Sequence, residues 1–123
     1  MTHAPVILAV DHNHRNLELL TQFLGREGFH LRTASSLEEF DQMLTRLDSI
    51  ELALVDIAGF DRSIWERCER LRDATVPFLV LSAKQSAAVQ QASLGHGARG
   101  VLVKPLVVKE LVGFIRALLA EDE

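Results

Sequence analysis

Three separated apolar runs in this chain each stop at a residue that can carry chemistry. Val6–Val10 runs into Asp11, Leu52–Val55 into Asp56, and Phe78–Leu81 into Ser82. A fourth run, Val101–Val103, ends in Lys104–Pro105. Runs this short and this continuously apolar suit strands buried on both faces, as in a parallel sheet covered by helices. Parallel strands all end on the same edge, so two carboxylates, a hydroxyl and an ammonium would converge there. That carboxyl edge is where open α/β sheets bind ligands. Such a set suits a divalent cation, which takes oxygen ligands, together with a phosphoryl group, whose transfer depends on positioning and charge neutralisation.

The segments between the runs have the period of helices. Asn13–Arg26 places Leu17, Leu20, Phe23 and Leu24 on one face, and Gly28 suits the left-handed position after a helix end. Phe29–Thr33 reads as a short alternating strand. Ser36-Leu37-Glu38-Glu39 has the form of a capping box, with Phe40, Met43, Leu44 and Leu47 following at helical spacing. Ser63–Asp73 reads as a helix with Ile64, Cys68 and Leu71 inward. Gln85–His96 reads as an Ala-rich helix ended by Gly97, and Lys109–Leu119 as one with Leu111, Ile115 and Leu118 in a stripe. This alternation predicts one domain over residues 1–123, a three-layer α/β/α sandwich of five strands and five helices.

Charge and cysteine usage narrow the function classes. A net charge of −4, a pI near 5.7 and no basic stretch longer than two residues argue against a generic nucleic-acid grip. Cys68 is the single cysteine, which excludes an intrachain disulfide and a thiolate metal cluster. No secretory pattern opens the chain and no apolar run has the length of a membrane span, so the expectation is a reduced, cytoplasmic protein. Glu121-Asp122-Glu123 reads as a solvated helix end, Trp65 as a partly buried packing residue and Cys68 as a buried thiol. The alanines of the fourth helix (Ala87, Ala88, Ala92) suit either a flat docking surface or close packing.

Four motifs in register, "VILAVDHNHRNLELL", "LALVDIAGF", "VPFLVLSA" and "GHGARGVLVKPLVVKEL", resemble the receiver domain of response regulators. This is the CheY-like phospho-acceptor module of two-component signalling, and the resemblance covers nearly the whole chain. It implies a flavodoxin-like sheet of strand order 2-1-3-4-5. It also implies that Asp56 is the phospho-acceptor, with Ser82, Ala83 and Lys104 around the phosphoryl group. Asp11, Asp56 and the main-chain carbonyl of Ala58 would be the ligands of Mg2+, and the Lys104–Pro105 bond would be cis. The implied partners are a histidine kinase or phosphotransfer protein and a downstream protein target. Contact would run through the fourth helix, last strand and fifth helix of a monomer or weak homodimer, with no direct role for nucleic acid or membrane. Self-phosphorylation and dephosphorylation at Asp56, rather than turnover of a separate substrate, is the activity implied.

The chain departs from the family's pattern at three places. His12 stands where a second acid usually binds the metal, and imidazole is a poor ligand for a hard cation. "AGFDRS" replaces the usual loop after the acceptor and is shorter by about two residues, judged by its match to the motif. Val101 holds the switch position, where the family usually has an aromatic ring. His12 then has several readings: a substitution in a site that has lost its metal, an imidazolium standing in for the cation, or a ligand to a softer metal shared with Asp11 and Asp56. A His12/His14 clamp is a further one. These departures motivate a rival to the phospho-acceptor, a phosphorylation-independent pseudo-receiver that serves as a protein-interaction module. A small-molecule or metal sensor and an acid phosphatase using Asp56 rank below both.

Overall fold

The computed structural model describes residues 4–121. Asp122 and Glu123, two of the three acidic residues read above as a solvated end, lie outside the described residues. Five strands, β1 (Val6–Val10), β2 (His30–Ala34), β3 (Leu52–Asp56), β4 (Phe78–Ser82) and β5 (Gly100–Val103), pair in parallel in the order β2-β1-β3-β4-β5. Between and after them run α1 (His14–Arg26), α2 (Leu37–Leu44), α3 (Ile64–Asp73), α4 (Ala87–Gly95) and α5 (Val108–Glu121). The architecture and strand order are those expected. Among the described residues, no helix is long and apolar enough to cross a membrane.

The period of two along each strand sorts the apolar residues into two cores. Leu8, Val10, Ala53, Val55, Phe78 and Val80 face α2 and α3, meeting Phe40, Leu44, Ile64, Cys68 and Leu71. Ile7, Ala9, Leu52, Leu54, Leu79 and Leu81 face α1 and α5, meeting Leu17, Leu20, Leu24, Leu111 and Ile115. Strands β3 and β4 are buried along their whole length, which is why their sequences carry no alternation. Burial pushes the Cys68 thiol up to about 12, so it packs as a small hydrophobe. Trp65 is half-buried and stacks on the His96 ring at 4.9 Å, while His96 Nδ1 lies 2.6 Å from Glu69 Oε2.

Three helices end in the same way. After α1, the N–H of Phe29 donates to Leu24 O and that of Gly28 to Gly25 O, with Gly28 at φ +93°. After α4, Ala98 donates to Ser93 O and Gly97 to Leu94 O, with Gly97 at φ +106°. After α3, Val76 donates to Leu71 O and Thr75 to Arg72 O. Each is a Schellman ending, with the following residue (Phe29, Ala98, Val76) buried against the helix it leaves.

These endings account for several differences from the sequence reading. Phe29 belongs to the end of α1, so β2 begins at His30 and runs to Ala34 rather than Phe29–Thr33. Helix α2 stops at Leu44, and Leu47 opens a short 3₁₀ turn, Leu47–Ser49, instead of extending the stripe. Helix α4 is shorter than Gln85–His96, because the Ser86 hydroxyl caps it by accepting from the Val89 N–H. The capping box of α2 closes one residue early. Ser36 Oγ accepts from the Glu39 N–H, but Glu39 Oε1 takes the N–H and hydroxyl of Ser35 rather than the Ser36 N–H.

Thr75 occupies the left-handed position at φ +59° that glycine holds in the other two endings. A β-branched residue there carries a conformational cost of about 1–2 kcal/mol. Glycine removes it at an entropic cost of about 0.5–1 kcal/mol. Thr75→Gly is therefore expected to raise the unfolding free energy by up to about 1 kcal/mol, read as a higher urea midpoint at unchanged slope.

Candidate functional site

The register brings the strand ends together. Val10 lies opposite Val55, Asp56 opposite Leu81, and Ser82 opposite Val103. Asp11 (4 % exposed), Asp56 (0 %) and Ser82 (4 %) are all buried at the carboxyl edge. Lys104 follows β5, one strand removed from β3, and its backbone N–H donates to Ser82 O at 2.8 Å. From there its side chain passes the end of β4 and its ammonium pairs with Asp56 Oδ2. The Lys104–Pro105 peptide is cis.

Asp56 has two different oxygens. Oδ1 accepts from the Ala58 N–H at 3.0 Å. Among the described residues, Oδ2 has no hydrogen-bond donor beside it other than the Lys104 ammonium. Asp11 Oδ1 accepts from the Asn13 N–H at 2.8 Å, while the Asn13 side chain caps α1 by accepting from the Asn16 N–H. Burial holds the Asp11 carboxyl above its ordinary pKa, and the neighbouring Asp56 charge pushes it the same way. The Asn13 and Asn16 hydrogen bonds and Lys104 only partly oppose this. Two carboxylates thus share one ammonium, and the edge has room for more positive charge.

Ser82 sits at the same edge, but its hydroxyl serves its own loop. It donates to Lys84 O at 3.0 Å and accepts from the Lys84 N–H at 3.3 Å. Ala83 is exposed at the turn. Val101 is half-buried against the core on the α2 and α3 face.

His12 departs from the carboxylates. It is exposed, packs over Gly59 (φ +83°) and meets the Phe60 ring edge-on, with centroids 6.0 Å apart. A methyl group at Gly59 would come 3.1 Å from His12 Cβ, so the short loop after Asp56 is shaped around this histidine. Among the described residues, no three His, Cys, Asp or Glu side chains form a metal-binding group. The soft-metal trio of His12, Asp11 and Asp56 is therefore not assembled among the described residues.

One feature escaped the sequence reading. A cleft of about 330 Å³ lies between α1 and the segment that follows β5, with Asp11, Asp56 and Lys104 at its polar end. Phe23, which shares a helical face with Leu17, Leu20 and Leu24, lines it at the margin of that face together with Leu19 of α1. A half-exposed helical position looks polar or apolar by chance, so only the packing of α5 reveals the cleft.

Buried carboxylates at the carboxyl edge of a 2-1-3-4-5 parallel sheet, with a lysine reaching across, define the class of receiver-type signalling domains. The profile of the response regulator receiver domain matches residues 7–116, and the chain belongs to that family: it is the receiver domain of a two-component response regulator. It is 35% identical over 118 residues to the transcriptional regulatory protein GltR of Pseudomonas aeruginosa, covering 92% of this chain and 48% of that one. It is 36% identical to the transcriptional regulatory protein PrrA of Mycobacterium leprae over 118 residues, covering 94% and 50%. The chain thus spans about half the length of these curated relatives. A two-component response regulator from Clostridium difficile superposes with a TM-score of 0.86 at 24% identity, over 94% of this chain and 96% of that one, which shows the shared fold.

The raised pKa of Asp11 has a signed consequence for stability. Its ionised form is penalised only in the folded state, so the penalty is absent below the unfolded carboxylate pKa of about 3.9 and grows as pH rises through the higher folded value. Asp11→Asn keeps an acceptor for the Asn13 N–H and removes the charge. In chelator, it is expected to raise Tm at neutral pH, with the gain fading toward pH 3.5.

Proposed function

We propose that the chain accepts a phosphoryl group on Asp56. The observation that carries this reading is Asp56 itself, a fully buried carboxylate whose Oδ2, among the described residues, meets only the Lys104 ammonium. An Asp56 oxygen attacks phosphorus, and Lys104 neutralises the charge gathered on the phosphoryl oxygens. The Ser82 hydroxyl donates to one of those oxygens after releasing Lys84 O, and exposed Ala83 leaves them room.

Receiver domains typically bind Mg2+ at the acidic pocket. The residues here fit that ion: Asp11 and Asp56 offer carboxylate oxygens whose mutual repulsion a cation relieves, and the Ala58 carbonyl is the third ligand by resemblance. His12, turned toward Gly59 and Phe60, adds no ligand. When bound, the ion supplies charge neutralisation to the phosphoryl oxygens.

Response regulators interact with histidine kinases or phosphotransfer proteins, and receiver domains are generally not substrate-turnover enzymes. In this reading such a protein is the donor here, self-dephosphorylation at Asp56 returns the site to rest, and phosphorylation biases the α4–β5–α5 face toward a protein target. Nine-residue α4 has no charged side chain, and Leu94, Val103 and Val107 are exposed on this side, which supports an apolar contact there. The rival reading, a pseudo-receiver that binds partners without phosphorylation, draws support from the outward His12 and from Val101, which offers no ring to rotate.

One set of spectra separates the two. Beryllofluoride with Mg2+ is expected to shift the amide resonances of Asp56, Ser82 and Lys104, spreading into α4 and β5. An unchanged spectrum of the folded protein supports the pseudo-receiver. Acid-stable, alkali-labile phosphate is expected on the wild type and lost in Asp56→Asn, and an Asp56→Asn protein that still takes label overturns the assignment. Ser82→Ala is expected to slow phosphorylation roughly a hundredfold, the scale of one lost donor to a developing charge.

A further inference from the structure

The cleft beside Asp56 has the character of a ligand site with one polar end. Its volume of about 330 Å³ is at the small end of the range for small-molecule pockets. Leu20, Phe23 and Leu24 of α1, Leu106 and Val108 beyond β5, and Leu111 of α5 form its walls. Asp56 and Lys104 close its polar end, together with Asp11 and Asn16. Phe23 is 37 % exposed, and of the exposed large apolar residues Phe23, Leu94, Val103 and Val107 it is the one that lines this cleft. The acceptor carboxylate is 0 % exposed yet borders the cleft, so a donor that delivers phosphorus to it from this side lays its own body against the apolar walls.

We propose that the cleft favours, among acyl phosphate donors, those with a longer apolar acyl chain. This rests on the reading of Asp56 as the acceptor and adds a substrate class to it. In the transfer, an Asp56 oxygen forms a bond to phosphorus and the bond from phosphorus to the acyl oxygen breaks. The electron pair departs with the acyl group as a free carboxylate. No proton, oxidant or further reactant is required. Lys104 lies at the polar end, where the phosphate is held, and the acyl chain runs along Phe23, Leu106 and Val108. Contacts with the chain are the same before and during transfer, so they lower the half-saturating donor concentration rather than raise the maximal rate.

The test compares acetyl, butyryl and hexanoyl phosphate as donors to the wild-type chain in Mg2+, reading Asp56 phosphate by intact mass. Their carboxylate leaving groups have nearly the same basicity, so differences in half-saturation report binding. A buried methylene strengthens binding by about fourfold. Partial burial of the longer chain is expected to lower half-saturation at least tenfold from acetyl to hexanoyl phosphate. Phe23→Ala is expected to shrink that ratio to about threefold or less. Half-saturation equal within twofold across the series, with acetyl phosphate still labelling Asp56, overturns the selectivity and leaves the acceptor intact. No label from any of the three donors on protein with a native circular dichroism spectrum overturns both.

Discussion

A carboxylate held at a strand end without exposure to water is the constraint on which this structure turns. Taking the Asp56 charge out of water costs several kcal/mol unless partners compensate. Two do: the Ala58 N–H, from the turn that immediately follows, and the Lys104 ammonium, from the far edge of the sheet. The second partner is the demanding one. Lys104 must start from β5, pass the end of β4 and meet β3, which works only if the strands lie in the observed order and end level. The bond from the Lys104 N–H to Ser82 O fixes the start of that reach. Strand order, register and the ion pair are thus mutually dependent.

The same economy of charge leaves the site poised. Asp11 and Asp56 share a single ammonium, so the resting edge is short of positive charge and Asp11 resists ionisation. Any cation or phosphoryl-lysine contact that enters changes the balance for all three residues. The Ser82 hydroxyl is committed to the Lys84 backbone at rest. The chain runs on from Lys84 to Ser86, whose hydroxyl caps α4 by accepting from the Val89 N–H. Gly59 and His12 shape the opposite loop, where the histidine packs against the glycine.

How far the sequence revealed this can be followed residue by residue. Wholly apolar runs marked β1, β3 and β4, because strands buried on both faces leave no polar positions to confuse the period. The chemistry at their ends was visible for the same reason: a carboxylate directly after such a run must lie on the sheet edge. Edges of elements were less legible. Phe29 has strand character by composition, yet its N–H completes the end of α1 and its ring packs back on that helix. Leu47 keeps helical spacing with Leu44 although the helix has already ended. Glu39 had two serine neighbours to choose from, and local geometry selected Ser35. Phe23 shares a helical face with Leu20 and Leu24 but sits at its margin, where α5 leaves a cleft instead of a lid.

By itself, the order of residues determined the fold class, the alternation of strands and helices, and the convergence of Asp11, Asp56, Ser82 and Lys104 on one edge. Each of these follows from local periodicity and from the direction shared by parallel strands. Tertiary structure decided what no local pattern encodes. It set which Asp56 oxygen faces Lys104, that the Ser82 hydroxyl turns to Lys84, that His12 packs over Gly59, and that an apolar cleft opens beside Asp56. These outcomes depend on distances between residues far apart in the chain, and such distances exist only once the helices have packed on the sheet.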